Sequence, residues 1–132
     1  MKLVVDANVL IAALIRSGIS RDIIMSDKFA LVSRDYLNLE LNQHKNLISQ
    51  KSGLSENEIA IVMTILLRRI DTIPLSDYQE KLEEAVTLMK ENINDAPYVA
   101  CFLALRCDGI WTNDSDFKGI HKIKVFQTKD LV

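Results

Sequence analysis

Asp6, Glu40, Asp95, Asp114 and Asp116 stand where an acid without a partner is costly. Asp6 ends the apolar run Leu3-Val4-Val5, and Asp114 and Asp116 follow Ile110-Trp111-Thr112-Asn113. At about 100° per residue, Glu40 falls inside the helical stripe of Tyr36, Leu37, Leu41, Leu47 and Ile48. Asp95 opens a helix at Asp95-Ala96-Pro97. Helix capping is the alternative for Asp6 and, more strongly, for Asp95, and a polar turn is the alternative for Asp114 and Asp116. Buried acids, however, are almost always paired or metal-bound. No comparable set of Arg or Lys is interleaved with these five, so the economical expectation is a cation.

Oxygen-only donors select hard ions, here Mg²⁺ or Mn²⁺. Such an ion keeps coordination positions open for a phosphate oxygen and an attacking water, which suits phosphodiester hydrolysis. Asn8 and Thr112 carry an amide and a hydroxyl at the same two strand ends, suited to orient the acids or their waters. His44 lies one turn beyond Glu40 and reads as a packing or hydrogen-bonding residue. No Ser-His-Asp or Cys-His arrangement and no glycine-rich phosphate loop competes.

These groups need a frame. Strands are expected at Lys2–Asp6, Phe29–Ser33, Ile70–Ile73, Ile110–Asn113 and Ile123–Phe126. Helices are expected at 8–17, 21–27, 35–51, 56–69, 77–92 and 95–107, with capping boxes at Ser55/Glu58 and Ser76/Gln79. Short apolar strands alternating with helices imply a three-layer α/β/α domain with a central, mainly parallel five-stranded sheet. Ligands of such folds lie beyond the carboxyl ends of the strands, where strand order reverses. If strands one and four flank that point, Asp6 and Asp114 converge.

The 132 residues suffice for one domain spanning 1–132. Net charge is −2, but without the five acids 13 acidic residues face 16 Lys and Arg. Phosphate would be tolerated on that surface and weakly steered. Cys101 and Cys107 suit neither a disulfide framework nor a zinc site. With no signal-peptide layout and no membrane-length apolar run, the expected compartment is the cytoplasm.

Four segments in order carry a resemblance: Val5-Asp6-Ala7-Asn8, Ser33-Arg34-Asp35-Tyr36-Leu37-Asn38-Leu39-Glu40-Leu41, Asp95-Ala96-Pro97-Tyr98-Val99-Ala100, and Thr112-Asn113-Asp114-Ser115-Asp116-Phe117. Across nearly the whole chain they resemble the PIN domain family, in the style of VapC-type toxins. The resemblance implies a metal-dependent ribonuclease directed at single-stranded RNA, usually a homodimer. Its acidic core would be Asp6, Glu40, Asp95 and Asp114, with Asp116 at a less constant position. For a toxin it also implies a protein antitoxin; housekeeping RNA processing and RNA binding without cleavage are the alternatives.

Two rivals fit less well. A receiver-type phospho-acceptor needs an Asp after the third strand, where Ile73-Pro74-Leu75 stands, and a haloacid-dehalogenase-like phosphatase needs Asp at position 8, where Asn8 stands. Arg16, Lys45, Lys118 and Lys122 are candidate RNA contacts, the last two in the densest basic run. Tyr36, Tyr98 and Trp111 are candidate stacking residues for which core packing is the safer expectation. Ile11, Leu14, Ile15, Ile19, Ile23 and Ile24 exceed one sheet-facing stripe and are expected to cover a dimer or partner surface.

Overall fold

The computed structural model describes residues 1–132. Five strands, β1 (Lys2–Val5), β2 (Ala30–Arg34), β3 (Ile70–Ile73), β4 (Gly109–Trp111) and β5 (Val125–Phe126), form one sheet in the order β3-β2-β1-β4-β5. Every pairing is parallel. Parallel strands need crossover connections, and here helices supply most of them. Helices α1 (Ala7–Ile15) and α2 (Ile19–Met25) link β1 to β2, and α3 (Leu37–Gln43), α4 (Lys45–Ser52) and α5 (Glu56–Leu67) link β2 to β3. These five pack on one another, with α1 touching each of the other four. The return from β3 to β4 runs through α6 (Leu75–Tyr78), α7 (Leu82–Met89) and α8 (Ala96–Leu105), with 3₁₀ turns at Gln79–Lys81 and Ile93–Asp95. Helix α8 lies against β1, β2 and β4 and carries α6 and α7 outside it. The result is the three-layer α/β/α arrangement. No helix is long and apolar enough to cross a membrane.

Strand order reverses between β1 and β4, so the expected switch point is present. The Asp6 backbone N–H donates to the Trp111 carbonyl at 3.1 Å, carrying the ladder to the edge where the acids begin. Leu3, Val4, Val5, Ile110 and Trp111 are fully buried, as a sheet covered on both faces requires. Trp111 anchors the far side, its indole N–H donating to Thr128 Oγ1 at 3.1 Å. Core packing is thus the role of Trp111 and of Tyr98, both buried, but not of Tyr36, which is 55% exposed.

Several expected elements break differently. The single helix over 35–51 is two helices that meet at His44, whose Nδ1 bonds the Glu40 carbonyl at 2.8 Å. That bend resets the helical phase, so Leu37, Leu41 and Ile48 are buried while Leu47 is 39% exposed. The helix expected over 77–92 starts at Leu75 with Pro74 as its cap, and a 3₁₀ turn divides it; Ser76 caps nothing. The Ser55/Glu58 capping box forms as expected. The apolar surplus of the early helices is mostly internal: Ile11, Leu14, Ile23 and Ile24 are buried and only Ile19 is openly exposed, because α2, α3, α4 and α5 cover α1.

Gly109 opens β4 where β5 crosses closely. A Cβ there would lie 2.5 Å from Phe126 Cε2 and 2.9 Å from the Lys124 carbonyl oxygen. Gly109→Ala is therefore expected to destabilise the protein by about 1–3 kcal/mol through overpacking, read from urea denaturation midpoints. An unchanged midpoint would mean that the β5 segment shifts freely and does not brace β4.

Candidate metal centre

Asp6 leaves β1 as the N-cap of α1, accepting from the Asn8 backbone N–H at 3.4 Å. Its second oxygen accepts from the Thr112 hydroxyl at 2.8 Å, and that hydroxyl also accepts from the Asp114 N–H at 3.0 Å. Thr112 thus ties the ends of β1 and β4 together through one buried oxygen. Asn8 contributes its backbone rather than its exposed side chain. Asp6 itself is buried, and burial raises its pKa, with the charges of Asp114 and Glu40 adding to the rise.

Asp114 caps the 3₁₀ turn Ser115–Phe117 by accepting from the Asp116 N–H at 2.9 Å. The turn is held by Phe117, which is fully buried. It carries Asp114 and Asp116 to the head of α8, where Asp95 stands. One carboxylate oxygen from each of Asp95, Asp114 and Asp116 lies within 4.8 Å of the others. Asp95 is the N-cap residue of α8, yet its side chain makes no capping hydrogen bond. Partial burial, then the charges of Asp6, Asp114, Asp116 and Glu40, push its pKa up to about 6. All five acids therefore share one electrostatic site. Asp95, Asp114 and Asp116 form its tight group, and Asp6 and Glu40 flank them.

Glu40 sits on α3, opposite α8. The Tyr98 hydroxyl donates to its Oε1 at 2.9 Å, and Arg34 Nη1 lies 3.6 Å from the same oxygen. Burial and the Glu40 charge raise the Tyr98 pKa, which keeps the phenol a donor at neutral pH.

The chain matches the PIN domain family over residues 4–130. It belongs to that family. No curated protein matches it. PIN domains are generally metal-dependent nucleases, and the Asp95–Asp114–Asp116 group is compatible with a metal site. The donors present fit a divalent cation: the group is all carboxylate oxygen and close-set, and burial together with the neighbouring charges raises Asp95.

One side-chain cation, short of a set comparable to the five acids, does enter this PIN domain's acidic site. Arg34 ends β2 with its guanidinium 4.9 and 6.0 Å from the centroids of the Tyr36 and Tyr98 rings, and its buried Nε–H has no acceptor. The sequence shows an Arg at a strand end but not that the strand ends beside Glu40. The expected basic contacts scatter. Lys45 pairs with Glu56 at 3.5 Å, Arg16 lines a small hollow with Asn113 and Thr128, and Lys122 stands exposed. Lys118 lies with Lys90, Asn92, His121 and Asp116 along an open cleft of about 480 Å³. Lys90 and His121 went unassigned because the two segments meet only in the fold.

The crowding has a measurable sign. A carboxyl whose folded pKa is raised above its ordinary value near 4 destabilises the fold when ionised, fully above about pH 6 and not at all below pH ~4. In chelator, Asp95→Asn is expected to melt a few degrees above the parent at pH 7.5, with the gap closing as pH falls through 6. A gap that is absent or that widens toward low pH would show that burial and the neighbouring acids do not raise Asp95.

Proposed function

We propose that this PIN domain is an endoribonuclease that hydrolyses phosphodiester bonds of single-stranded RNA at an Mg²⁺- or Mn²⁺-dependent site. The observation that carries the reading is the convergence of Asp95, Asp114 and Asp116 at the β1/β4 switch point, with Asp6 and Glu40 beside them. Asp95, Asp114 and Asp116 would hold the cation, with Asp6 and Glu40 completing the acidic set. When bound, a divalent cation supplies positive charge for the phosphate and makes a water acidic enough to attack. Thr112 fixes the Asp6 carboxylate, and Tyr98 and Arg34 fix that of Glu40, so these acids are oriented before substrate arrives. The cleft beside Asp116 offers Lys90, Lys118 and His121 to the phosphates of the strand.

Within this class we assign the role of a cytoplasmic toxin of a toxin–antitoxin pair, working as a homodimer. Support comes from the likeness of the four acidic segments to VapC-type toxins. The exposed apolar side chains Ile61 and Ile65 on α5 are compatible with a dimer or antitoxin contact.

Cleavage of a fluorescently labelled single-stranded RNA tests the activity. Purified protein is expected to cut with Mg²⁺ or Mn²⁺ and to stop in chelator. Asp114→Asn should lower the rate at least about 100-fold, beyond the usual effect of losing an outer hydrogen-bond partner. Metal-stimulated cutting that persists in both Asp114→Asn and Asp6→Asn would defeat the site assignment. No cutting by folded, metal-bound protein would favour RNA binding without catalysis.

A further inference from the structure

Tyr36 is the aromatic that the core does not absorb. It stands at the start of α3, one turn before Glu40, whose backbone N–H bonds the Tyr36 carbonyl at 3.0 Å. The residue is 55% exposed although the Arg34 guanidinium lies 4.9 Å from its ring centroid. A cation thus lies over one ring face, and more than half of the residue stays open to solvent. Arg34 in turn is largely buried, its side chain only 14% exposed, and contacts Glu40. A continuous path therefore runs from an open aromatic face, through a fixed guanidinium, to a carboxylate of the acidic site.

An exposed tyrosine at a helix start is usually free to turn. Here the guanidinium interaction and the Glu40 contact restrict the Arg34–Tyr36 pair, so little rotamer freedom remains to be lost when something stacks on the ring. Planar, sequence-tolerant π-faces are what single-stranded nucleic acid offers, since its bases are not held in a duplex. A paired base would have to leave its helix to reach a ring beside Glu40.

We propose that Tyr36, backed by Arg34, is a stacking platform for one unpaired nucleobase of the RNA strand, next to the phosphate presented to the acids. This rests on the ribonuclease reading above and deepens it, because it states how a single strand is preferred over a duplex at this site. Tyr36 binds substrate; Arg34 is a positioning residue that holds the ring and Glu40 together.

The test is fluorescence anisotropy of a short labelled single-stranded RNA with the non-cleaving Asp114→Asn protein, full chain, in Mn²⁺. Tyr36→Ala in that background is expected to bind about 10- to 100-fold more weakly, the range for losing one base–aromatic stack. Tyr36→Phe and Tyr36→Trp should stay within about threefold, since each retains a π-face. An abasic nucleotide walked along the RNA supplies a readout that needs no new protein variant. At one position it should weaken binding to the Tyr36 protein while leaving the Tyr36→Ala protein unaffected. Equal affinity of the Tyr36 and Tyr36→Ala proteins, with binding intact, overturns the platform and leaves the nuclease reading standing. The same holds if Tyr36→Phe loses as much as Tyr36→Ala, or if no abasic position distinguishes the two proteins. Failure of the parent protein itself to bind or cut single-stranded RNA overturns the ribonuclease reading and the platform with it.

Discussion

Like charge held at close range is the constraint on which the rest of this structure depends. Three carboxylates within 4.8 Å, with Asp6 and Glu40 at their side, repel one another, and this adds to the larger penalty that partial burial places on an ionised Asp95. Left to local preference, the segments that carry them would separate. They stay together because each is the terminus of an element locked into the sheet or against it. Asp6 ends β1, Asp114 and Asp116 follow β4, Asp95 heads α8, and Glu40 rides on α3.

The restraint is mostly apolar. β1 and β4 are buried on both faces, Trp111 is pinned through Thr128, Phe117 seats the turn that bears Asp114 and Asp116, and Gly109 lets β5 approach closely enough to brace β4. Polar groups then set direction rather than distance. Thr112 bonds Asp6 and the Asp114 backbone with one hydroxyl, while Tyr98 and Arg34 meet at Glu40. The Ser33 hydroxyl, buried and bonded to the Val5 carbonyl at 2.8 Å, joins β2 to β1 one residue before Asp6. An acidic site pre-assembled in this way needs little rearrangement to take a cation, because the core has already met the cost of bringing the charges together.

The surroundings of the site are asymmetric. On the β4 side, Lys90 and Lys118 line a cleft with His121, and the lysines face the strand's phosphates in our reading. On the β2 side, the cation Arg34 is largely buried and engaged by Glu40 and the Tyr36 and Tyr98 rings. Charge is therefore offered on one flank and a planar apolar face on the other. That division lets a single strand be held by backbone and base at once.

The alternation of apolar strands and helices determined the layered fold, and the position of each acid after a strand or at a helix start determined which residues to watch. Those features are local: burial on two faces demands an apolar run, and an acid at its end is visible as an exception. Helix breaks at His44 and at residues 79–81 were not legible, because a bend of one residue leaves composition and spacing almost unchanged. Nor was the fate of the early isoleucines, which depended on where α3, α4 and α5 came to rest over α1. Tyr98 bonded to Glu40 and Lys90 across from His121 unite residues far apart in the chain, and Arg34 reaches Glu40 only because the chain turns between β2 and α3. Only tertiary structure could decide such pairings, since they depend on how strands and helices cross and on the angle at which one element leaves the next.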